Sequence, residues 1–368
     1  MTSVPFEIFL VATPGLEVPL AQEARDAGFS GTKIIEGGVV LNGTWPDVWR
    51  ANLVLRGATR ILARIASFRA LHLAQLDKRA HKVEWASVLR PDVPVQVEAS
   101  CKRSRIYHDG AAAQRVAKAI TKTIGAPIAE DAALRVMVRI EDDLVTISLD
   151  TTGQSLHKRG FKEAVNKAPM RETMAAMFLR QCGYDGTQPV LDPMCGSGTF
   201  PIEAAEIALG LHPGRERSFA FEHLPSFDPF AWSKLRTPGA AQSSTLRFHG
   251  SDRDAGAIRM AEENATRAGV AALTLFEQKP IEELTAPEGP PGIVIVNPPY
   301  GTRIGTKGPL IGTHKTLGTV LKTRFKGWRV GIITADKQLA QATGITFEPM
   351  LPPVLHGGIR VALYRAQL

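Results

Sequence analysis

The chain has 368 residues, 44% of them hydrophobic, and 44 Lys and Arg against 36 Asp and Glu give it a net charge of +8. That length favours two or three domains, the apolar fraction excludes a disordered chain, and the basic balance, with an isoelectric point near 9.5, suits a polyanionic partner. No apolar run approaches a membrane span, the amino terminus lacks the basic and apolar regions of a secretion signal, and three isolated cysteines (Cys101, Cys182, Cys195) have neither disulfide nor metal-ligand spacing, which points to a reducing cytoplasm and no structural metal.

Phe6 to Ala12 alternates weakly and reads as a first strand. Pro14-Gly15 then turns the chain into a short helix, Leu16 to Ala27, which stops at Gly28. Gly37-Gly38 ahead of Val39-Val40-Leu41 suggests a hairpin strand, so residues 1–50 read as a small ferredoxin-like unit. An amphipathic helix and the start of a strand fill residues 46–64, with Val48, Ala51, Asn52, Leu55 and Ala58 at helical spacing. From Cys101 to Lys122, six basic residues (Lys102, Arg103, Arg105, Arg115, Lys118, Lys122) stand against one acid, Asp109, with Tyr107 and His108 among them. A helix from Gly110 to Ile124 places Arg115, Lys118 and Lys122 on one face. A solvated charged face is the ordinary reading of such a run; a phosphate-binding footprint is the functional one. Leu134 to Ile140 and Leu144 to Leu149 alternate with period two across Glu141-Asp142-Asp143, a hairpin signal. Polar and basic residues 151–168 carry the passage into the second half, with the linker drawn at 156–170.

In the second half a helix spans Arg171 to Cys182. Val190-Leu191-Asp192 then runs from a short apolar strand into Pro193-Met194-Cys195-Gly196-Ser197-Gly198-Thr199, and a helix follows, Ile202 to Leu209, with Pro201 tolerated in its first turn. Gly196 and Gly198 remove side chains where backbone must pass close to a ligand. No third glycine completes the dinucleotide fingerprint, and no Gly-Lys-Ser/Thr makes a phosphate loop. An acid just before the glycines suits a ligand with a cationic amino group, as in S-adenosyl-L-methionine. Cys195 lacks an evident general base and reads as a small packing residue. Residues 209–245, with Phe219, Phe221, Phe227, Phe230 and Trp232, read as a packed cap over one edge of the sheet. Next, Phe248 to Ser251 ends a strand at Asp252, a position from which a carboxylate can hold ribose hydroxyls. Asp254 reads as the cap of the helix Ala255 to Gly269. After the strand Leu273 to Phe276 come Glu277-Gln278-Lys279-Pro280.

Gly292 to Val296 is a buried strand that ends in Asn297-Pro298-Pro299-Tyr300. The Asn oxygen and a backbone carbonyl can both accept from one exocyclic NH2, the tyrosine can stack on the base that carries it, and the prolines fix the backbone between them. Methylation of a nucleobase amine needs such an apparatus. The ordinary reading is a strand ending in a proline turn. Arg303, just beyond, reads equally as a phosphate contact or a surface residue.

Taken together, Leu191 to Thr199, Gly250 to Asp252, Asn297 to Gly301, Leu156 to Phe161, Ala168 to Thr173, and the stretch from Pro213 through Glu222 to Phe227 resemble the THUMP-domain RNA guanine-N2 methyltransferases, most of all the bacterial enzymes (RlmL-type) that act on 23S rRNA. The resemblance covers nearly the whole chain. It implies a C-terminal Rossmann-like class I methyltransferase domain (α/β, mixed seven-stranded sheet) at 171–368, preceded by an α+β ferredoxin-like and THUMP RNA-binding half whose THUMP part spans 51–155. It implies S-adenosyl-L-methionine as cofactor, held by Asp192, Pro193, Cys195, Gly196, Gly198, Thr199, Asp252 and Arg253. Related enzymes often carry an Asp for the adenine amine after the third strand; this sequence departs from them with Glu277-Gln278-Lys279-Pro280, which leaves that contact to Gln278, a backbone carbonyl or Glu282. Asn297, Pro298 and Tyr300 would be catalytic, and Lys102, Arg103, Arg105, Arg115, Lys118 and Lys122 would contact RNA. Ribosomal RNA, free or in an assembling ribosomal particle, is the implied partner, of a monomeric cytoplasmic enzyme. Rival readings are a transfer-RNA guanine methyltransferase, a DNA adenine-N6 methyltransferase, a protein glutamine methyltransferase and a non-catalytic RNA-binding assembly factor. The expectation against the DNA reading is that no target-recognition domain follows residue 368, and no second methyltransferase is expected after it.

Overall fold

The computed structural model describes residues 4–163, 170–237, 243–300 and 307–368. In chain order its first half holds β1 (Phe6–Val11), α1 (Glu17–Asp26), β2 (Lys33–Ile35), β3 (Gly38–Gly43), α2 (Trp45–Val54), β4 (Arg60–Arg69), α3 (Leu73–Ala80), β5 (Val95–Lys102), α4 (Asp109–Ile124), β6 (Leu134–Glu141) and β7 (Leu144–Asp150). The second half holds α5 (Glu172–Gln181), β8 (Val190–Asp192), α6 (Thr199–Ala208), α7 (Pro229–Arg236), β9 (Phe248–Asp252), α8 (Ala255–Ala268), β10 (Thr274–Gln278), β11 (Ile293–Val296), α9 (Lys307–Arg324), β12 (Arg329–Thr334), α10 (Lys337–Ala342), β13 (Val354–His356) and β14 (Ile359–Gln367). The chain packs as two units. One comprises Met1–Ala12, Ala21–Leu156 and Arg217–Thr237; the other comprises Thr13–Leu20, His157–Glu216 and Pro238–Leu368. Among the described residues no helix is long and apolar enough to cross a membrane.

In the first unit the alternating segments join one seven-stranded sheet, ordered β2-β3-β1-β4-β7-β6-β5. β1 lies antiparallel between β3 and β4, with Phe6 opposite Gly43 and Ile8 opposite Ala63. The ferredoxin-like opening and the segment after residue 50 therefore share a single sheet. β6 and β7 close through Asp142-Asp143, both at positive φ (50° and 63°), a turn conformation that aspartate tolerates better than most residues. α4 buries Ala112, Val116, Ala119 and Ile120 and ends at Gly125, whose φ of 77° is the left-handed cap geometry. Thr151 and Thr152, which begin the polar stretch of the sequence, are fully buried. The Asn52 amide donates to Thr151 Oγ1 (3.0 Å), the Thr151 hydroxyl to the Ile61 carbonyl (2.7 Å) and the Thr152 hydroxyl to Asn52 Oδ1 (2.7 Å). These mutual bonds offset the desolvation of three buried polar side chains.

The aromatic insertion differs from its sequence reading. Residues 217–237 belong to the first unit rather than capping the sheet of the second. The driving force is an aromatic nucleus. Trp49 of α2 meets Phe221 at 6.1 Å and Phe227 at 5.9 Å, while Trp232 of α7 meets Phe221 edge-on at 5.0 Å. The Phe221 amide also donates to the Thr151 carbonyl (3.0 Å). Phe230, by contrast, points to solvent at 89% exposure. Because Trp49 is 2% exposed, Trp49→Ala is expected to destabilise the first unit by about 3–5 kcal/mol. A clearly lower urea midpoint is the expected reading; an unchanged midpoint would show that the insertion does not anchor there.

The second unit carries a mixed seven-stranded sheet, ordered β10-β9-β8-β11-β12-β14-β13. Strands β8 to β12 run parallel, and β14 lies antiparallel to β12 and to β13. This is the Rossmann-like class of sheet expected from the sequence. All four residues of β11 are buried, as a central parallel strand covered on both faces requires. Val294, Val296, Leu317, Leu321, Phe325, Trp328, Val330 and Ile332 form the core on one side. The chain runs from β8 outward to β10, then returns to place β11 on the other flank of β8. That reversal creates a crevice at the carboxyl ends of β8 and β11, where open parallel sheets bind ligands.

Candidate active site

Three strand ends frame the crevice. Asp192 closes β8, Asp252 closes β9 and Asn297 follows β11. Parallel pairing sets Asp192 beside Gly250 and Leu191 beside Val294. The turn after Asp192 is held by backbone bonds: the Cys195 amide donates to the Ser251 carbonyl (2.9 Å) and the Gly198 amide to the Cys195 carbonyl (2.8 Å). Asp252 ties the two strand ends together, its Oδ2 accepting from the Gly196 amide (3.1 Å) and its Oδ1 from the Asp254 amide (3.0 Å). Asp254 caps α8 as its sequence position suggests, accepting from the Gly256 amide at 2.8 Å.

The two glycines serve different ends. Gly198 sits at φ +82° with its Cα against Ala261, Ile202 and Phe276, so an added Cβ would lie 3.0–3.1 Å from their side chains. Gly196 has φ +51°, and a Cβ there would meet nothing within 4 Å. Gly198 thus lets the helix pack, while Gly196 leaves open space beside the turn. Asp192 is 3% exposed, and its Oδ1 accepts from the Met194 amide (3.0 Å). Burial pushes its carboxyl up to about 8, with the neighbouring Asp252 charge adding to the effect. A buried acid, an open glycine turn and a second carboxylate one strand away fit a nucleoside bearing a cationic amino acid. Burial, and the two acids, also push the Cys195 thiol well up. It is therefore no thiolate nucleophile and remains a packing residue.

Thr199 opens α6, and its hydroxyl accepts from Lys162 Nζ (2.8 Å). The same ammonium donates to the Met170 carbonyl (2.9 Å) and pairs with Glu172 (3.2 Å). The Asn264 amide secures the turn by donating to the Ser197 carbonyl (3.1 Å). Neither Lys162 nor Asn264 is marked by sequence pattern, since each reaches the turn across tens of residues. Pro193 is buried in the turn, and Arg253 is exposed, its carbonyl accepting from the Gln278 amide (3.2 Å). Gln278 ends β10 directly beside Asp252, which places it nearest the turn among the sequence candidates for an adenine contact.

At the end of β11, Pro298 is buried while Asn297 and Tyr300 are half-buried. Asn297 Oδ1 is itself buried and accepts no hydrogen bond from the described residues. A buried amide oxygen without a donor costs about 1–3 kcal/mol. Burial raises the Tyr300 phenol above its ordinary range, so the hydroxyl stays protonated. That hydroxyl lies 3.4 Å from His356 Nδ1 on β13. Arg303, Gly301 and the Lys167-Ala168-Pro169 stretch lie outside the described residues.

The predicted nucleic-acid residues all fall in the first unit. Arg115, Lys118 and Lys122 are exposed on α4. Lys102 and Arg103, at the end of β5, are engaged by acids that a local charge count omits. Lys102 lies 3.6 Å from both Glu36 and Glu141, and Arg103 pairs with Glu141 (2.7 Å) and Asp142 (3.1 Å). The Arg105 amide donates to Asp143 (2.8 Å). Among the described residues no group of three or more His, Cys, Asp or Glu could hold a metal ion.

The chain is similar to known methyltransferases in sequence and in fold. The family description "RMKL-like, methyltransferase domain" matches residues 159–346, and "RlmL ferredoxin-like domain" matches residues 7–62. A protein of Vibrio campbellii named ribosomal RNA large subunit methyltransferase K/L is 32% identical over 344 residues, covering 89% of this chain and 49% of its own length. A protein of the same name from Vibrio parahaemolyticus is 31% identical with the same coverage. The chain thus spans about half the length of the curated relatives it matches. Among solved structures, the SMU.472 protein complexed with SAH superposes with a TM-score of 0.90 at 27% identity, over 99% of this chain and 98% of that one. A possible methylase from Clostridium difficile 630 does so with a TM-score of 0.90 at 28% identity, over the same shares. A protein of Listeria monocytogenes named a predicted N6-adenine-specific DNA methylase gives a TM-score of 0.88 at 28% identity, over 98% of this chain and 96% of that one.

Proposed function

The chain belongs to the RMKL-like methyltransferase family, and from that premise we propose that it methylates the exocyclic N2 of a guanine in large-subunit ribosomal RNA, with S-adenosylmethionine as donor. The observation that carries the reading is the buried Oδ1 of Asn297 at the carboxyl end of β11, which has no partner among the described residues. An exocyclic amine supplies the donor this oxygen lacks. The names of the Vibrio relatives and the amino-terminal RlmL-type domain support ribosomal RNA as the substrate.

Asp192, Gly196, Gly198 and Asp252 are the residues that would hold the donor: Asp192 toward the aminoacyl end, Gly196 where it approaches backbone, Gly198 by letting the helix pack behind the turn, and Asp252 toward the ribose hydroxyls. When bound, S-adenosylmethionine supplies a methyl group already activated by its sulfonium. The protein's task is then positioning. The guanine N2 lone pair is delocalised into the ring and is a poor nucleophile. Hydrogen bonds from this NH2 to Asn297 Oδ1 and to the Pro298 carbonyl favour a pyramidal nitrogen and stabilise the positive charge that develops on it. The nitrogen then loses one proton, which needs no strong dedicated base. A base must leave its stack to enter such a pocket, and the Tyr300 ring offers a compensating stack. On this reading the first unit is a THUMP-type module in which Arg115, Lys118 and Lys122 touch phosphate and set register without reading sequence. Lys102 and Arg103 contribute less net field, since acids already face them. The partner is ribosomal RNA, free or within an assembling particle, and the enzyme works as a cytoplasmic monomer.

The Asn297 apparatus also suits the N6 amine of adenine, and the Listeria relative is named for that chemistry on DNA. Purified protein incubated with S-adenosylmethionine and, separately, 23S rRNA, transfer RNA and DNA distinguishes the two. Nucleoside mass spectrometry is expected to show N2-methylguanosine in the ribosomal RNA digest. N6-methyladenine in DNA, or modified guanine in transfer RNA alone, would overturn the assignment.

A further inference from the structure

The contact between Tyr300 and His356 joins two segments that lie 56 residues apart in the chain. His356 ends β13, and a tight hairpin follows, His356-Gly357-Gly358-Ile359, in which His356 pairs with Ile359. Gly357 and Gly358 take φ of 57° and 84°. Two successive positive φ values define the hairpin turn that matches strand twist, and only residues free of a Cβ penalty hold it at low cost. Space is not the reason for glycine here, because a Cβ at either position would meet nothing within 4 Å. The turn is anchored, since β14 continues from the hairpin into the sheet, where Ala362 to Gln367 pair with β12. The imidazole thus sits on a hairpin arm that is hydrogen-bonded into the same sheet whose strand β11 precedes Asn297.

A tyrosine side chain has two soft torsions. Its hydroxyl lies on the axis of the second, so a partner at that oxygen fixes the direction of the ring axis and leaves only rotation about it. A stacking base can select that rotation, but it cannot cheaply order the axis as well. We propose that His356 is a positioning residue for methyl transfer, holding the Tyr300 ring axis where the target base stacks, with the β13–β14 hairpin as its arm. This rests on Tyr300 being the stacking ring of the base pocket. The 3.4 Å separation is long for a hydrogen bond to a hydroxyl, and active-site bonds of this kind shorten when the pocket is filled.

The test is a double-mutant cycle read by single-turnover methylation of 23S rRNA, using wild type, His356→Ala, Tyr300→Phe and the double variant. His356→Ala is expected to lower kcat/KM for RNA about three- to tenfold, the range of one net hydrogen bond. The dissociation constant for S-adenosylmethionine should not move. In the Tyr300→Phe background the same replacement should cost nothing, because the hydroxyl it acts through is already gone. His356→Gln, which restores a polar partner, should recover part of the loss. Equal fold losses in both backgrounds would overturn the proposal, as would a parallel loss of donor affinity, which marks a merely structural hairpin. A wild-type protein that makes no N2-methylguanosine refutes the substrate assignment itself, and the role of His356 falls with it. An active wild type with additive losses refutes His356 alone.

Discussion

Asn297→Ala is expected to abolish detectable methyl transfer, a loss of about a thousandfold or more in single-turnover rate, while RNA affinity stays near wild type. The asymmetry follows from where the side chain acts. Asn297 Oδ1 takes no hydrogen bond from the described residues, so none of their donors is orphaned by its removal. Truncation removes an unpaired buried acceptor instead of creating one, and the thermal midpoint should hold. RNA affinity comes mainly from phosphate contacts spread over a basic surface, so one amide in the base pocket contributes little. The rate depends on that amide in full, because its bond to the amine strengthens as positive charge grows on nitrogen. Tritium transfer from labelled S-adenosylmethionine and filter binding of RNA, made on the same preparation, check both halves. Unchanged turnover would remove the proposed role of Asn297; a collapse of RNA binding would show that the site recognises RNA rather than orienting its amine.

The affinity for S-adenosylmethionine should rise with pH, by up to about tenfold per unit between pH 6 and about 8. The sign is set by Asp192. Its carboxyl, raised by burial to about 8, is largely protonated at neutral pH in the ligand-free protein. A cationic amino group beside it stabilises the carboxylate and lowers the pKa, so binding expels a proton, and a reaction that releases protons is favoured as pH rises. Above about 8 Asp192 is already ionised and the α-amino group of the donor loses its own charge, so affinity should peak there. Isothermal titration in buffers of different ionisation enthalpy is expected to report proton release at about pH 7. In Asp192→Asn that release should vanish, together with the pH dependence and much of the affinity. A pH-independent dissociation constant in the wild type would mean that Asp192 does not face the donor.

The chemistry-bearing motifs are short, and their backbone requirements are local. Asp192 through Thr199 demands a strand, a turn at positive φ and a helix start, and the structure has Gly196 and Gly198 at φ 51° and 82° with α6 beginning at Thr199. The helix begins three residues before the expected Ile202, because Thr199 and Phe200 complete its first turn ahead of Pro201. Asn297 likewise follows an apolar run, Ile293 to Val296, that reads as a buried strand, while Asp252 closes the mixed segment Phe248-His249-Gly250-Ser251, whose strand is marked by its Gly-Ser-Asp end rather than by an apolar run. Once three such strands are parallel, their carboxyl ends must share an edge, so the meeting of these residues was implicit in their order along the chain.

What the sequence by itself determined is therefore the strand, turn and helix start from Val190 to Thr199, the strand that closes at Asp252 and the buried strand that ends before Asn297. Tertiary structure alone decided the rest. It moved Phe221 and Trp232 onto Trp49 of the first unit, set Glu141 and Asp142 against Arg103, brought Lys162 to Thr199 and put His356 beside Tyr300. The physical reason is range. Strand, turn and cap preferences act within a few residues and leave a periodic signature, whereas a side-chain pairing between distant segments is selected by packing and leaves no mark on the spacing of either partner.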